Sequence, residues 1–139
     1  MDIEVEQIQT PLPITVLSLI GELDASNYLT LVGEVEALYQ NGVRNLLIDL
    51  SRVPFMASSG LVAFHQVALI MRGESTAPPD EKWNPMRAIA HEVQSKSSQN
   101  HHCKLINPQP RVAQTLQVTG FDKILAVFFN REEAVASFT

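Results

Sequence analysis

A chain of 139 residues is long enough for one domain with a sizeable hydrophobic core. At 45% hydrophobic, 18% charged and a formal net charge of −5, it is globular and mildly acidic, without the basic stripe that a nucleic-acid surface requires. Its single cysteine, Cys103, excludes an internal disulfide and suits a reducing cytoplasm, and no apolar run approaches the ~20 residues of a membrane-spanning helix.

The alternating start, Met1-Asp2-Ile3-Glu4-Val5-Glu6, is unlike a signal peptide. Ile3, Val5 and Ile8 alternate with polar residues as in a half-buried strand. Pro11 and Pro13 mark a turn, and Ile14 to Ile20 reads as a second strand suited to a sheet interior. Gly21-Glu22-Leu23-Asp24 ends it, and Asp24 or Ser26 is placed to cap the next helix. Tyr28, Leu31, Val32, Val35, Leu38 and Tyr39 share one helical face, and Asn41-Gly42 stops that helix. Val43 to Leu50 is a third strand. Strand, helix and buried strand make a βαβ unit with parallel strands.

A helix is predicted from Ser59 to Met71, with Leu61, Phe64, Ala68 and Met71 on one face. Residues 73–101 then change character and read as an insertion. Its ends are polar and proline-rich, and it holds one short helix with Met86, Ile89, Ala90 and Val93 as its apolar stripe. Trp83 within it packs onto the domain or anchors a contact. Cys103 to Ile106 is a fourth strand, a helix starts at Asn107-Pro108, Ile124 to Phe129 is a last strand, and Arg131 to Phe138 is a closing helix. The expected fold is α/β: one domain over residues 1–139, with a mixed four- or five-stranded sheet, helices on one or both faces and the insertion at about 73–101.

The junction Pro54-Phe55-Met56-Ala57-Ser58-Ser59-Gly60-Leu61 stands out. Two serines and a glycine sit where a strand hands over to a helix. Backbone N–H groups and the positive end of the helix dipole gather there, so a phosphoryl group on such a serine is well placed. Ser58 also suits the helix N-cap, a role worth roughly 0.5–2 kcal/mol over alanine.

Other constellations point away from catalysis and metals. His101 and Cys103 share one side of a strand, but no third ligand accompanies them. Ser58, His65 and Asp49 are residue types of a hydrolase triad, yet no Gly-x-Ser-x-Gly elbow is present. Gly21, Gly33 and Gly42 form no phosphate-binding loop. Neither an enzyme nor a cofactor is expected.

Gly21-Glu22-Leu23-Asp24, Leu50 to Leu61 and Thr119-Gly120-Phe121 together resemble the STAS family, which includes bacterial anti-sigma-factor antagonists and the cytoplasmic tails of sulfate transporters. The resemblance spans residues 1–72 and 103–139. It implies a STAS-like domain acting by partner switching: it binds an anti-sigma-factor serine kinase of the histidine-kinase-like ATPase fold, and phosphorylation at Ser58 abolishes binding. A phosphatase would reverse the mark. Asp24, Phe55, Met56, Ala57, Ser59 and Gly60 would frame the partner-binding surface. Regulated family members carry aspartate where this chain has Ala57. The alternatives are a phosphorylation-independent scaffold module or an accessory subunit of a transport system. The oligomeric state stays open.

Overall fold

A computed structural model describes residues 1–9, 12–74, 84–94 and 100–138. Five strands form one sheet in the order β1-β2-β3-β4-β5: β1 (Asp2–Ile8), β2 (Ile14–Ile20), β3 (Leu46–Arg52), β4 (Cys103–Ile106) and β5 (Val127–Phe128). β1 runs antiparallel to β2, and the remaining pairs are parallel. The helices are α1 (Tyr28–Gln40), α2 (Ser58–Met71), α3 (Pro85–Gln94), α4 (Pro110–Val118) and α5 (Arg131–Ala136), with a 3-10 turn at Phe121–Lys123.

The period of two in the strands sorts the sheet into unequal faces. Leu17, Leu19, Leu46, Ile48, Leu50 and Leu105 join Leu31 and Val35 of α1, Phe64 and Val67 of α2, Ile89 of α3 and Leu116 of α4 in the main core. The other face is smaller: Ile14, Val16, Leu47 and Ile106 pack with Ala134 of α5. Lys104 is on that face and only 5% exposed. Its ammonium donates to the Ser137 carbonyl and hydroxyl at 2.9 and 2.7 Å, and it lies 4.5 Å from the Phe138 ring centroid. A cation there satisfies the Ser137 carbonyl just past the end of α5. Desolvation lowers its pKa. The Arg131–Glu6 ion pair ties the start of α5 to β1.

Several element boundaries differ from the sequence expectations. β3 starts at Leu46 rather than Val43, because Val43 N–H bonds back to the Leu38 carbonyl and Arg44 stacks 3.9 Å over the Tyr39 ring as the chain leaves α1. β5 is shorter than the predicted run from Ile124, because Ile124 and Leu125 donate back to the Phe121 carbonyl in the 3-10 turn. Asn107 takes a left-handed φ of 53°, and α4 starts only at Pro110.

Within residues 73–101 one helix is described, and Trp83 lies outside the described residues. The apolar stripe expected on α3 is narrower than predicted: Ile89 is buried and Val93 half-buried, whereas Met86 and Ala90 are exposed. Val93 sits against Gly120, where a Cβ would come 2.6 Å from Cγ1. On the other side, Glu92 Oε1 lies 3.3 Å from Nε2 of the buried His65 and accepts from Arg72 at 2.8 Å. Arg72 also bridges Glu74 at 2.6 Å. The His65 hydrogen bond, with the Arg72 guanidinium beside it, holds the Glu92 carboxyl at about 2 against the upward push of burial.

That clasp carries a pH signature. The folded pKa of Glu92 is depressed, so its contribution is full above about pH 4.5 and is lost as pH falls toward about 2. Glu92→Gln should cost about 1–2 kcal/mol at pH 7, discounted for partial solvent screening, and should flatten the stability profile between those limits. Chemical denaturation of both proteins from pH 7 down to pH 3 checks this. A parallel loss in both would show that the clasp contributes nothing.

The start of α2 is closely packed. A Cβ on Gly60 would lie 2.3 Å from Met56 Cγ, 3.0 Å from its Sδ and 3.1 Å from Leu23 Cδ2. Gly60→Ala should therefore lower stability by about 1–3 kcal/mol by overpacking, despite the better helix propensity of alanine. Adding Met56→Ala to that variant should recover part of the loss, a coupling that a double-mutant cycle in urea reads directly.

Candidate functional site

The loop after β2 runs beside the chain leaving β3. Gly21 N–H bonds to the Arg52 carbonyl at 3.0 Å, and Gly21 has a φ of +105°, which the turn requires. Leu23 N–H then donates to Phe55 O at 3.1 Å, and Ala57 N–H donates to Leu23 O at 2.9 Å. Leu23 and Met56 thus form an isolated parallel bridge. Both side chains turn inward and cover Gly60. The loop strap and the serine junction, far apart in sequence, form one unit.

α2 begins at Ser58, one residue earlier than expected. The N-cap is Ala57, whose extended backbone (φ −78°, ψ 170°) leads into the first turn. Ser58 is therefore the first helical residue rather than the cap, a correction to the capping role expected from sequence. No side chain caps α2 and its first turn holds no acid. The two serines differ in environment. Ser58 is exposed, whereas Ser59 Oγ is buried without a hydrogen-bond partner.

Neither Asp24 nor Ser26 is the N-cap of α1, which is Asn27. The Asp24 carbonyl accepts from the Asn27 and Tyr28 amides at 3.2 and 3.0 Å. The Asp24 carboxylate instead accepts from the Ser26 hydroxyl at 2.5 Å and the Ser26 amide at 2.9 Å. Those hydrogen bonds hold its carboxyl below the ordinary carboxylate range. Asn27 fixes the loop by accepting from Asp24 N–H at 3.0 Å and donating to Glu22 O at 2.8 Å.

Of the residues singled out in the sequence, Phe55 and Ser58 reach the surface, and Asp24, Ala57 and Ser59 are half-buried. Met56 and Gly60 are buried. The sequence reading missed Leu23 and Asn27. Leu23 carried a signal, being the one apolar residue within Gly21-Glu22-Leu23-Asp24. Asn27 carried none, because its role rests on backbone partners within the turn.

The triad-like residues are separated. His65 faces Glu92 within the helical layer, while Asp49 lies on the opposite face of the sheet and accepts from Ser51 N–H at 2.9 Å. Cys103 is fully buried, and burial pushes its thiol up to about 12, which keeps it a protonated core residue. His101 is exposed, and no cluster of metal-ligating side chains occurs among the described residues. No helix among them is long and apolar enough to cross a membrane.

The fold is shared with solved structures of low identity. An anti-sigma factor antagonist from Mycobacterium paratuberculosis aligns with a TM-score of 0.68 at 20% identity, covering 99% of this chain and 92% of that one. A putative anti-sigma factor antagonist from Thermotoga maritima gives 0.70 at 15% identity, with 98% and 93% covered. SpoIIAA of Bacillus in its phosphorylated form gives 0.57 at 21% identity, with 99% and 100% covered. No curated protein matches the sequence significantly. The STAS domain family matches residues 2–72, the stretch holding the first three strands, the Leu23 strap and all of α2. With more than half its length matched, the chain belongs to the STAS domain family.

Proposed function

We propose that this domain is an anti-sigma-factor antagonist that works by partner switching and is controlled by reversible phosphorylation at Ser58. The observation that carries this reading is the contrast between the two serines: Ser58 is exposed at the first turn of α2, while Ser59 Oγ is buried. A kinase can reach the first hydroxyl and not the second. Structural neighbours named as anti-sigma factor antagonists support the general role. The partner is a serine kinase of the histidine-kinase-like ATPase fold that also acts as the anti-sigma factor, and a phosphatase restores the hydroxyl. The domain is a substrate and a binder, needs no cofactor and acts in the cytoplasm.

Phe55, Ser58 and Ala57 form the contact surface, with Asp24 and Ser59 beside them. Met56 and Gly60 set its shape from within. A phosphate on Ser58 adds about −1.5 to −2 charges at the positive end of α2. The helix accepts that charge readily, since neither Ala57 nor any first-turn acid competes for its amides. The mark therefore leaves the fold intact and changes the surface.

Ser58→Asp should weaken partner binding at least about tenfold, roughly 1.4 kcal/mol, with melting unchanged or slightly raised. Ser58→Ala should keep binding and cost little stability, because Ser58 makes no capping hydrogen bond. Ser59→Ala should remain phosphorylatable and gain about 1 kcal/mol by removing a buried unpaired hydroxyl. Partner affinity, thermal melting and intact-mass analysis of protein from native cells test all three. Equal affinity for wild type, Ser58→Asp and Ser58→Ala would sink the switch and leave a scaffold module.

A further inference from the structure

The end of the sheet opposite Ser58 holds a cleft of about 420 Å³, a volume that suits a small organic ligand. It lies where the parallel strands begin, between the Gln7–Thr15 pair of β1 and β2 and the turn that leads from α1 to β3. Thr15 is only 2% exposed, and its hydroxyl donates to Gln7 Oε1 at 3.2 Å. With its oxygen engaged, Gln7 keeps its amide protons for another acceptor. Asn45 is fixed beside them: its Nδ2 donates to the Pro13 carbonyl at 3.2 Å, and its own carbonyl accepts from the Thr15 amide at 2.9 Å. Among the described residues no acidic side chain lines the cleft, in a chain of net charge −5, and Arg44 is its cation. Nη1 of Arg44 donates to the Tyr39 and Val43 carbonyls at 2.8 and 2.9 Å, which occupies both of its protons, and the guanidinium lies 3.9 Å over the Tyr39 ring. Half of the group thus closes α1 and fixes its plane. The other half, Nε–H with the Nη2 protons, has no partner among the described residues. That side-on pair of donors has the spacing of a carboxylate. The end of α1 opposes an anion only weakly here, because the carbonyls of Ala37, Leu38 and Tyr39 already accept from the amides of Asn41, Gly42 and Val43.

We propose that this cleft binds a small organic carboxylate that carries a hydroxyl or amide group next to the carboxylate. The free side of Arg44 takes the carboxylate, and Gln7, braced by Thr15, takes the neighbouring polar group. A carboxylate fits better than a phosphate dianion, because a single arginine supplies one positive charge and a planar fork. The site is separate from the Ser58 surface and does not depend on partner switching.

Amide-resolved NMR of the isotope-labelled full chain provides the test, with acetate, L-lactate, N-acetylglycine and inorganic phosphate as probes at constant ionic strength. Lactate or N-acetylglycine should shift the Thr15, Gly42 and Arg44 amides saturably, with a Kd below about 10 mM, and leave the Ser58 and Gly60 amides in place. Acetate, which lacks the second polar group, should bind about threefold more weakly, and phosphate at least about tenfold more weakly. Arg44→Lys keeps the charge and loses the fork, so it should weaken lactate binding at least about tenfold. Because Arg44 also closes α1, Gln7→Leu, on an exposed side chain, is the second variant, and it should bring lactate down to the affinity of acetate. Absence of saturable shifts at those amides with every carboxylate up to about 50 mM overturns the site. Phosphate binding as tightly as lactate overturns the ligand class. Undiminished lactate affinity in Arg44→Lys overturns the role of the guanidinium, and an unchanged preference for lactate in Gln7→Leu overturns that of Gln7.

Discussion

The site depends on one packing constraint, the approach of Leu23 and Met56 to Gly60. Two strand-like segments meet there as an isolated bridge, and α2 begins where only a glycine lets them close. The backbone hydrogen bonds from Leu23 and Ala57 fix the height of the loop relative to the helix start. They hold Phe55 and Ser58 at the surface while Met56 is turned in. Alternation along an extended chain does the rest, since successive side chains point to opposite sides. A regulated hydroxyl needs such a rigid seat, because a change of charge alters a surface predictably only if the backbone beneath it does not move.

The regular periodic parts of the fold were legible in the sequence. The stripe from Tyr28 to Tyr39 and the apolar run through Leu50 required a βαβ unit, and burial made them fold as written. The two-faced sheet was less legible. Cys103-Lys104-Leu105-Ile106 reads as a strand, but nothing in that run shows that Lys104 is covered by α5 and held by Ser137 and Phe138. Only the tertiary arrangement places a helix terminus over that position. The same holds for His65 and Glu92, which lie 27 residues apart and meet because α3 packs beside α2. No local pattern encodes such a pair.

Capping shows why boundaries were misplaced by a residue. Sequence assigns caps by side-chain chemistry, so Ser58, Asp24 and Ser26 were the natural choices. The backbone assigns them by dihedral angle. At α2 the cap is the extended Ala57, and at α1 it is Asn27 (φ −135°, ψ −1°), whose side chain is engaged by the turn itself. The distinction between Ser58 and Ser59 was invisible for a related reason. Neighbouring residues on a helix are about 100° apart, so one hydroxyl faces solvent and the next faces the domain, and a shift of one residue in the helix start exchanges them.

Under the proposed phosphorylation of Ser58, Ala57 links the energetics of the helix start to that modification. A carboxylate at that position would cap α2 permanently and would place a second negative charge beside any phosphate on Ser58. Alanine leaves the first-turn amides without a side-chain acceptor. The helix then begins less firmly than it could, and on the proposed reading a phosphate on Ser58 would be the group that satisfies it. A phosphoryl group there would strengthen the helix start while changing the charge of the surface. On the proposed reading, fold stability and partner affinity would respond to phosphorylation of Ser58 with opposite signs, which requires that the seat beneath Ser58 be set by Leu23, Met56 and Gly60 and not by the cap.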